Sequence, residues 1–344
     1  MTRSPTQQHP QQQKPRRRRG CLTTLGIGAL VLAVLVGAGG WLVNTHGPRF
    51  GVYLFPPAPE QYAEVALGFM DAGGSEWDAA RADVERLAAD ATSIEELHEP
   101  LAQAARVAGG KHSVFLTPDE AEQTAQTAEA NFTTPTVTTD SGITTVTIPP
   151  LGSVSTDQQT EYADTAAQGI VDAAPNTCGW IVDLRGNTGG DMYPMLSGVA
   201  PLLPNGPALS FVTNGGQETV VTVQDDGAGL DGDTTASIPV TGKVREQPVA
   251  ILQDGRTGSS GEAVLTAFRG LDNVHSFGMP SAGYTSANAI HQLYDGAQLV
   301  LTGSVYADRD GIILDEQPIE PSSSVDADQI ERAAQDWLTQ NGCE

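Results

Sequence analysis

Twice in this chain a short apolar run enters a bend of small residues and leaves it with helical spacing. The stretches are "GWIVDLRGNTGGDMYPMLSGVAPLL" at 179–203 and "PVAILQDGRTGSSGEAVLTAFRGL" at 248–271. Each reads as strand, loop, helix. Two such units in succession imply a parallel sheet with covering helices, because a helical crossover returns the chain to run in the same direction. "PVAILQ" is short, apolar and partly β-branched, as a strand buried on both faces must be. After the bend Ala263, Val264, Ala267, Phe268 and Leu271 share one helical face.

Around these units the pattern is mixed. From Ala58 to about Arg106 apolar residues recur at three- and four-residue spacing, with Thr92 or Ser93 as an N-cap inside the run and Gly109-Gly110 ending it. "HSVFLTPDEAEQTAQTAEANF" gives a short apolar stretch and another helix. "PTVTTDSGITTVTIPPL" reads as a hairpin and "TDQQTEYADTAAQGIVDAA" as a helix. Residues 206–247 are Gly/Thr/Val-rich β structure; further strands follow in 273–293 and 297–314, and "DADQIERAAQDWLTQNG" closes as a helix. The fold class expected is α/β. The boundaries expected are a basic tail at 1–20, a membrane-spanning helix at 21–43, a linker at 44–60, a helical subdomain at 61–130 and a core at 131–344.

The charge is unevenly placed. The 344-residue chain carries −24, and its first 20 residues hold six basic side chains and no acid, so the remainder carries −30. A body that acidic repels phosphate backbones, which argues against nucleic acid as a partner. The uncharged stretch "CLTTLGIGALVLAVLVGAGGWLV" after "PRRRRG" spans about 23 residues, long enough for a hydrocarbon layer of roughly 30 Å. Arginines before it place the N-terminus in the cytoplasm and the body outside. "VGAGGW" leaves a cleaved signal as the other reading. Cys178 and Cys343 fall in the exported part, where disulfides persist, and sequence leaves their pairing open. No CxxC or Cys/His cluster suggests zinc, and no cofactor is called for.

The chemistry concentrates in the two bends. Ser259 and Ser260 sit at a helix start, where unpaired N–H groups and the positive dipole end lie. A serine there is a plain N-cap or a nucleophile whose following amide binds an oxyanion. The bend is not a G-x-S-x-G elbow, and no lysine follows the glycines as in a phosphate loop. Gly186, Gly189 and Gly190 expose backbone donors or serve a tight turn. A nucleophile needs a base. Outside the tail there are two lysines, Lys111 and Lys243, and five histidines. His112 follows a Gly-Gly break in a loop, where function is commoner than on a helix face. His98 reads as helical, and His275 and His291 as strand residues.

"KHSVFLTPDEA", "GWIVDLRGNTGG", "PVAILQDGRTGSSGEAV", "SFGMPSAGYTSAN" and "DEQPIEP" occur in the order seen in the S41 peptidases, the family of the tail-specific proteases and the tricorn core. The resemblance covers about residues 60–330. It implies a crotonase/ClpP-like core, a protein or peptide substrate, Ser259 as nucleophile, and the amides of Gly190 and Ser260 as oxyanion donors, with Gly189 beside them. Tail-specific proteases use a lysine base. Here Tyr284 stands in its place, and a phenol is a poor base at neutral pH. The sequence therefore resembles the tricorn-like branch, with His112 as base, Glu316 orienting it and Ser113 assisting. The interval from Phe115 to Gly142 is too short for the PDZ domain of the tail-specific branch. The expected function is a membrane-anchored, extracytoplasmic serine peptidase; the alternative is an inactive peptide- or cell-wall-binding module on the same scaffold.

Overall fold

The computed structural model describes Val43, Gly47, 52–70, 72–240, 242–244 and 247–343. The chain divides into two units, Met1–Pro57 and Ala58–Glu344. The apolar stretch read as a membrane helix lies, apart from Val43, outside the described residues. Among the described residues no helix is long and apolar enough to cross a membrane.

The second unit opens with three helices, α1 (Pro59–Phe69), α2 (Ser75–Asp90) and α3 (His98–Gly109). The helical run is thus broken twice. Gly74, at φ 103, caps α2 from a backbone shape that suits glycine. A 3₁₀ turn at Glu95–Leu97 precedes α3. Gly110, at φ 73, ends α3. Strand β1 (Val114–Leu116) leads to α4 (Pro118–Ala130), which starts at a capping box of Thr117 and Glu120 with proline in its first turn. Strands β2 (Thr136–Asp140) and β3 (Ile143–Thr147) form the expected hairpin. Helix α4 and strand β2 fill the interval judged too short for a PDZ domain.

Next come α5 (Thr156–Ala173), β4 (Gly179–Asp183), α6 (Met192–Val199), and the strands β5 (Gly206–Val212), β6 (Glu218–Gln224), β7 (Gly227–Leu230) and β8 (Ala236–Ser237). The second unit of the sequence pair follows as β9 (Val249–Gln253) and α7 (Ser260–Phe268). Then come β10 (Val274–Gly278), β11 (Ser286–Gln292), β12 (Gln298–Asp308), β13 (Ser323–Ser324) and α8 (Ile330–Gln340).

Two sheets result. One has the order β13-β10-β9-β4-β3-β2 and is parallel except for β2. The other is antiparallel, ordered β1-β12-β5-β6-β7-β8, with β11 also paired to β12. Period-two alternation feeds two cores from the parallel sheet. Trp180, Val182, Val249 and Ile251 face the main core with α5, α6 and α7. Ile181, Ala250 and Leu252 face α8 through Ile330, Ala334 and Leu338. Every residue of α7 is buried, so the helix starting at Ser260 is packed on all sides. The first three helices share a further core with Phe115, Leu299 and Leu301 of β1 and β12. Cys178, just before β4, and Cys343, just after α8, are joined by a disulfide.

Candidate active site

The register of β4 on β9 pairs Asp183 with Leu252, so both strands end at one sheet edge. Their loops are tied together there. Gly258 donates its amide to Asn187 O at 2.9 Å, the Thr257 hydroxyl donates to Leu184 O at 2.9 Å, and the Gly186 amide donates to Asp254 at 3.1 Å. A Cβ built on Gly189 would lie 2.7 Å from Ser259 Cβ and 3.0 Å from Gly258 O. Glycine at 189 is what lets the two backbones meet.

Ser259 caps α7 at φ 51, ψ −117. A positive φ in a residue with a side chain costs on the order of 1–3 kcal/mol and persists only where surroundings impose it. Glu262 supplies much of that constraint. Its buried carboxylate accepts from the Ser259 amide at 2.8 Å, the Tyr284 amide at 2.7 Å, the Gly283 amide at 2.7 Å and the Ser281 hydroxyl at 2.5 Å. Burial pushes its carboxyl above the usual value, and these bonds pull it back. Every partner is a donor, which suits the ionised form.

Gly189 and Gly190 adopt φ 102 and 123. The Gly189 amide is held by Asn187 Oδ1 at 2.9 Å. Leu151 pairs with this loop through Gly189 O and the Asp191 amide, which leaves the Gly190 N–H outside that pairing. The Ser260 amide is a first-turn donor with no acceptor inside its helix. The Ser260 hydroxyl donates to Gly190 O at 2.6 Å and so holds the two candidate donors side by side.

His112 ends a 3₁₀ turn at Gly110–His112. Its Nδ1 lies 2.8 Å from Ser286 Oγ, and Ser286 Oγ donates to Glu316 Oε1 at 2.7 Å. A hydroxyl has one proton to give, and Glu316 takes it. Ser286 must therefore accept from His112 Nδ1–H, which assigns the imidazole tautomer and leaves the lone pair on Nε2. Burial pushes His112 below the ordinary histidine value; Glu316 opposes this and Lys111 adds to it. Glu316, expected to orient His112, reaches the ring through Ser286 rather than touching it. Asp315 and Glu316 both take positive φ, 46 and 53, in the turn that presents the carboxylate.

Ser113 does not join this chain. Consecutive residues of extended backbone point to opposite sides, and the buried Ser113 hydroxyl turns to β12, accepting from the Thr302 amide at 2.9 Å. Tyr284 sets its ring edge against His112 at 5.0 Å between centroids, with the Lys111 ammonium 5.0 Å from the Tyr284 centroid. Lys111 also donates to Glu316 O at 2.9 Å. The other histidines are engaged elsewhere: His98 with Asp295, His275 with Ser323, and His291 stacked on Phe69. His46 lies outside the described residues. Ser286 was not among the residues expected at the site, and Glu262, matched only as the acid of a Ser-x-x-Glu helix start, proves to be the acceptor that ties Ser259 to Tyr284. Both lie inside the quoted segments, where a hydroxyl two residues past Tyr284 and an acid three past Ser259 were the available signals.

Ser259, Ser260, Gly190 and Ser286 line one cleft of about 540 Å³. A strained serine at a helix start, paired glycine-loop amides and a hydrogen-bonded His–Ser–Glu chain define a serine-type peptidase of mixed α/β fold. The sequence profile of peptidase family S41 matches residues 143–325, and the chain belongs to that family. It is 33% identical over 302 residues to the nisin-resistance protein of Lactococcus lactis subsp. lactis, spanning 86% of this chain and 92% of that one. A lipoprotein from Streptococcus agalactiae superimposes with a TM-score of 0.74 at 28% identity, over 84% of this chain and 99% of that one. The photosystem II D1 C-terminal processing protease shares the fold at TM-score 0.55 and 11% identity, over 79% of this chain and 94% of that one.

Proposed function

We propose that this peptidase cuts peptide bonds through an acyl-enzyme on Ser259, with His112 as general base and the amides of Gly190 and Ser260 as oxyanion donors. His112 Nε2 takes the Ser259 proton as Oγ attacks the scissile carbonyl, then returns it to the leaving amine. Ser286 and Glu316 hold the ring and stabilise the imidazolium that forms. The observation carrying this reading is the bond direction through Ser286, which leaves a basic nitrogen on an imidazole whose partner shares the cleft of Ser259. Glu262 supports it further: the same oxygen, Oε2, accepts from the Ser259 amide and from the Tyr284 amide, and the Tyr284 ring packs on His112.

We also propose that the peptidase is a single-pass membrane protein with its catalytic unit outside the cytoplasm. The basic tail, the uncharged stretch at 21–43 and the Cys178–Cys343 disulfide support that placement. The relative's name makes nisin the first peptide to try. The test uses the full chain in detergent with nisin and with casein, product analysis by mass spectrometry, and labelling by a fluorophosphonate. Cleavage and labelling by the native chain, both lost in Ser259→Ala, are expected. Unchanged cleavage in Ser259→Ala would overturn the reading.

A further inference from the structure

The wall of the cleft beyond the reacting groups has a distinctive composition. Of its eighteen lining residues one is a carboxylate, Asp191, and none is lysine, arginine or histidine. Asp191 directly follows the oxyanion glycine. One of its oxygens, Oδ1, accepts the Tyr193 amide at 3.0 Å as the N-cap of α6. Among the described residues no cation pairs with this carboxylate.

Three aromatic rings, Tyr193, Phe211 and Tyr306, line the same cleft, and Phe211 and Tyr306 lie 5.6 Å apart between centroids. The Tyr193 phenol is pushed up to about 12 by burial and by the charge of Asp191, so the two groups sense each other electrostatically. Burial also pushes Asp191 above the usual carboxylate value. Partial desolvation raises the cost of an unpaired charge and strengthens its attraction for a cation that arrives with a ligand. An acid sharing a cleft with three aromatic rings suits an ammonium or guanidinium, through Coulomb attraction and cation–π contact together.

Resting on the peptidase reading above, we infer that Asp191 is a specificity residue that selects peptides bearing a lysine or arginine close to the scissile bond. The position follows from chain geometry: the amide of the preceding residue is the proposed oxyanion donor, so a side chain reaching Asp191 belongs to a residue adjoining the reacting carbonyl. The protein's own charge favours such substrates, since the chain beyond its first 20 residues carries −30. A capping role alone explains one oxygen of Asp191. It does not account for a cleft in which every other charge has been left out.

Asparagine and serine also cap helices, so Asp191→Asn and Asp191→Ser keep the turn and remove the charge. A bond cleaved in casein by the full chain serves as the frame for internally quenched peptides. Lysine, glutamine and glutamate are scanned through the three residues on each side. At one position lysine is expected to raise kcat/KM about tenfold over glutamine, and glutamate to lower it. In Asp191→Asn that lysine-to-glutamine ratio should fall to within about twofold, while the variant melts with the native chain. A native ratio near one at every position, or a ratio that survives in both variants, would overturn the inference. Anisotropy of the labelled peptides on Ser259→Ala reads the same preference without turnover. Asp191-dependent binding without any hydrolysis would remove the peptidase reading and leave the selectivity standing. Hydrolysis with binding indifferent to charge would do the reverse.

Discussion

Ser259 and the candidate oxyanion donors come from the parallel sheet, whereas His112, Ser286 and Glu316 are held by the antiparallel one. The first group is assembled from two local units, each a strand running directly into its loop and helix. The second is assembled from segments more than two hundred residues apart at the extremes, brought together by β1 and β11 pairing on either side of β12 and by the turn that follows β12. One half is set by strand ends, and the other by register and turn shape. Removing a group from either half separates what each contributes.

The largest effect is expected from the groups that exchange the proton. Ser259→Ala and His112→Ala should each lower kcat by about 10⁴-fold or more, and the double variant should be no worse, because the two halves act as one unit. Steady-state rates on a casein-derived peptide check this. Additive losses would mean that the two halves work independently.

The next effect is on stability and belongs to the parallel half alone. The disulfide closes a loop with a sequence separation of 165 between a β4 neighbour and the end of α8. In the chain-entropy description a loop of that length contributes at most about 5 kcal/mol. Cys178→Ser with Cys343→Ser should lower the urea midpoint by an amount corresponding to about 3–5 kcal/mol. The disulfide lies on the α8 side of the parallel sheet, so the acid limb of kcat/KM, which reports the antiparallel half, should stay in place.

Smaller, but more specific, is the relay. Ser286→Ala removes the acceptor for His112 Nδ1–H, and Glu316→Gln weakens the group that orients that acceptor. Each should lower kcat by about 10- to 100-fold with KM little changed, and the two losses together should fall well short of their product, since both act through one ring. Ser286→Thr, which keeps a hydroxyl, should recover most of the rate. A double-variant cycle gives the coupling, and full additivity would break the relay.

The two halves also differ in how far the sequence disclosed them. "VDLRGNTGGDM" and "QDGRTGSSGE" carry their own strand, turn and cap signals, so the sheet edge and Ser259 could be read from neighbours along the chain. Ser286 carries no such signal. It is one hydroxyl among several in "PSAGYTSAN", and its place depends on β11 meeting β12 with Ser286 opposite Val305. Ser113, adjacent to His112 in sequence, is for that reason on the other side of the backbone and bonded to Thr302. Glu316 presents its carboxylate from a positive-φ turn that no glycine announces. The helical pattern read from Ala58 to about Arg106, with an N-cap placed at Thr92 or Ser93, resolves into three helices; Gly74 marks one break, and the other precedes the 3₁₀ turn at Glu95–Leu97, which begins two residues past Ser93. Asp191 reads along the chain as a helix cap, and only the fold places it on the wall of the cleft that holds Ser259.

The finest contrast lies within the antiparallel half, between the two charges that act on His112. Burial holds the imidazole below its ordinary value, Glu316 raises it and Lys111 lowers it. A general base works only when unprotonated, so the acid limb of kcat/KM follows this value in the free enzyme. Removing the Glu316 charge takes away a stabiliser of the imidazolium, and the limb in Glu316→Gln should move to lower pH. Removing the Lys111 charge takes away a destabiliser, and the limb in Lys111→Met should move to higher pH. Lys111 lies toward solvent, donating to Glu316 O and resting over Tyr284, so salt screens its influence and the shift should be small. It should shrink further at high ionic strength. The Glu316 shift, transmitted through the buried Ser286 hydroxyl from a half-buried carboxylate, should shrink less under the same conditions. Limbs moving in the same direction for both variants would mean that they disturb the turn carrying His112, and that neither charge reaches the ring as the geometry requires.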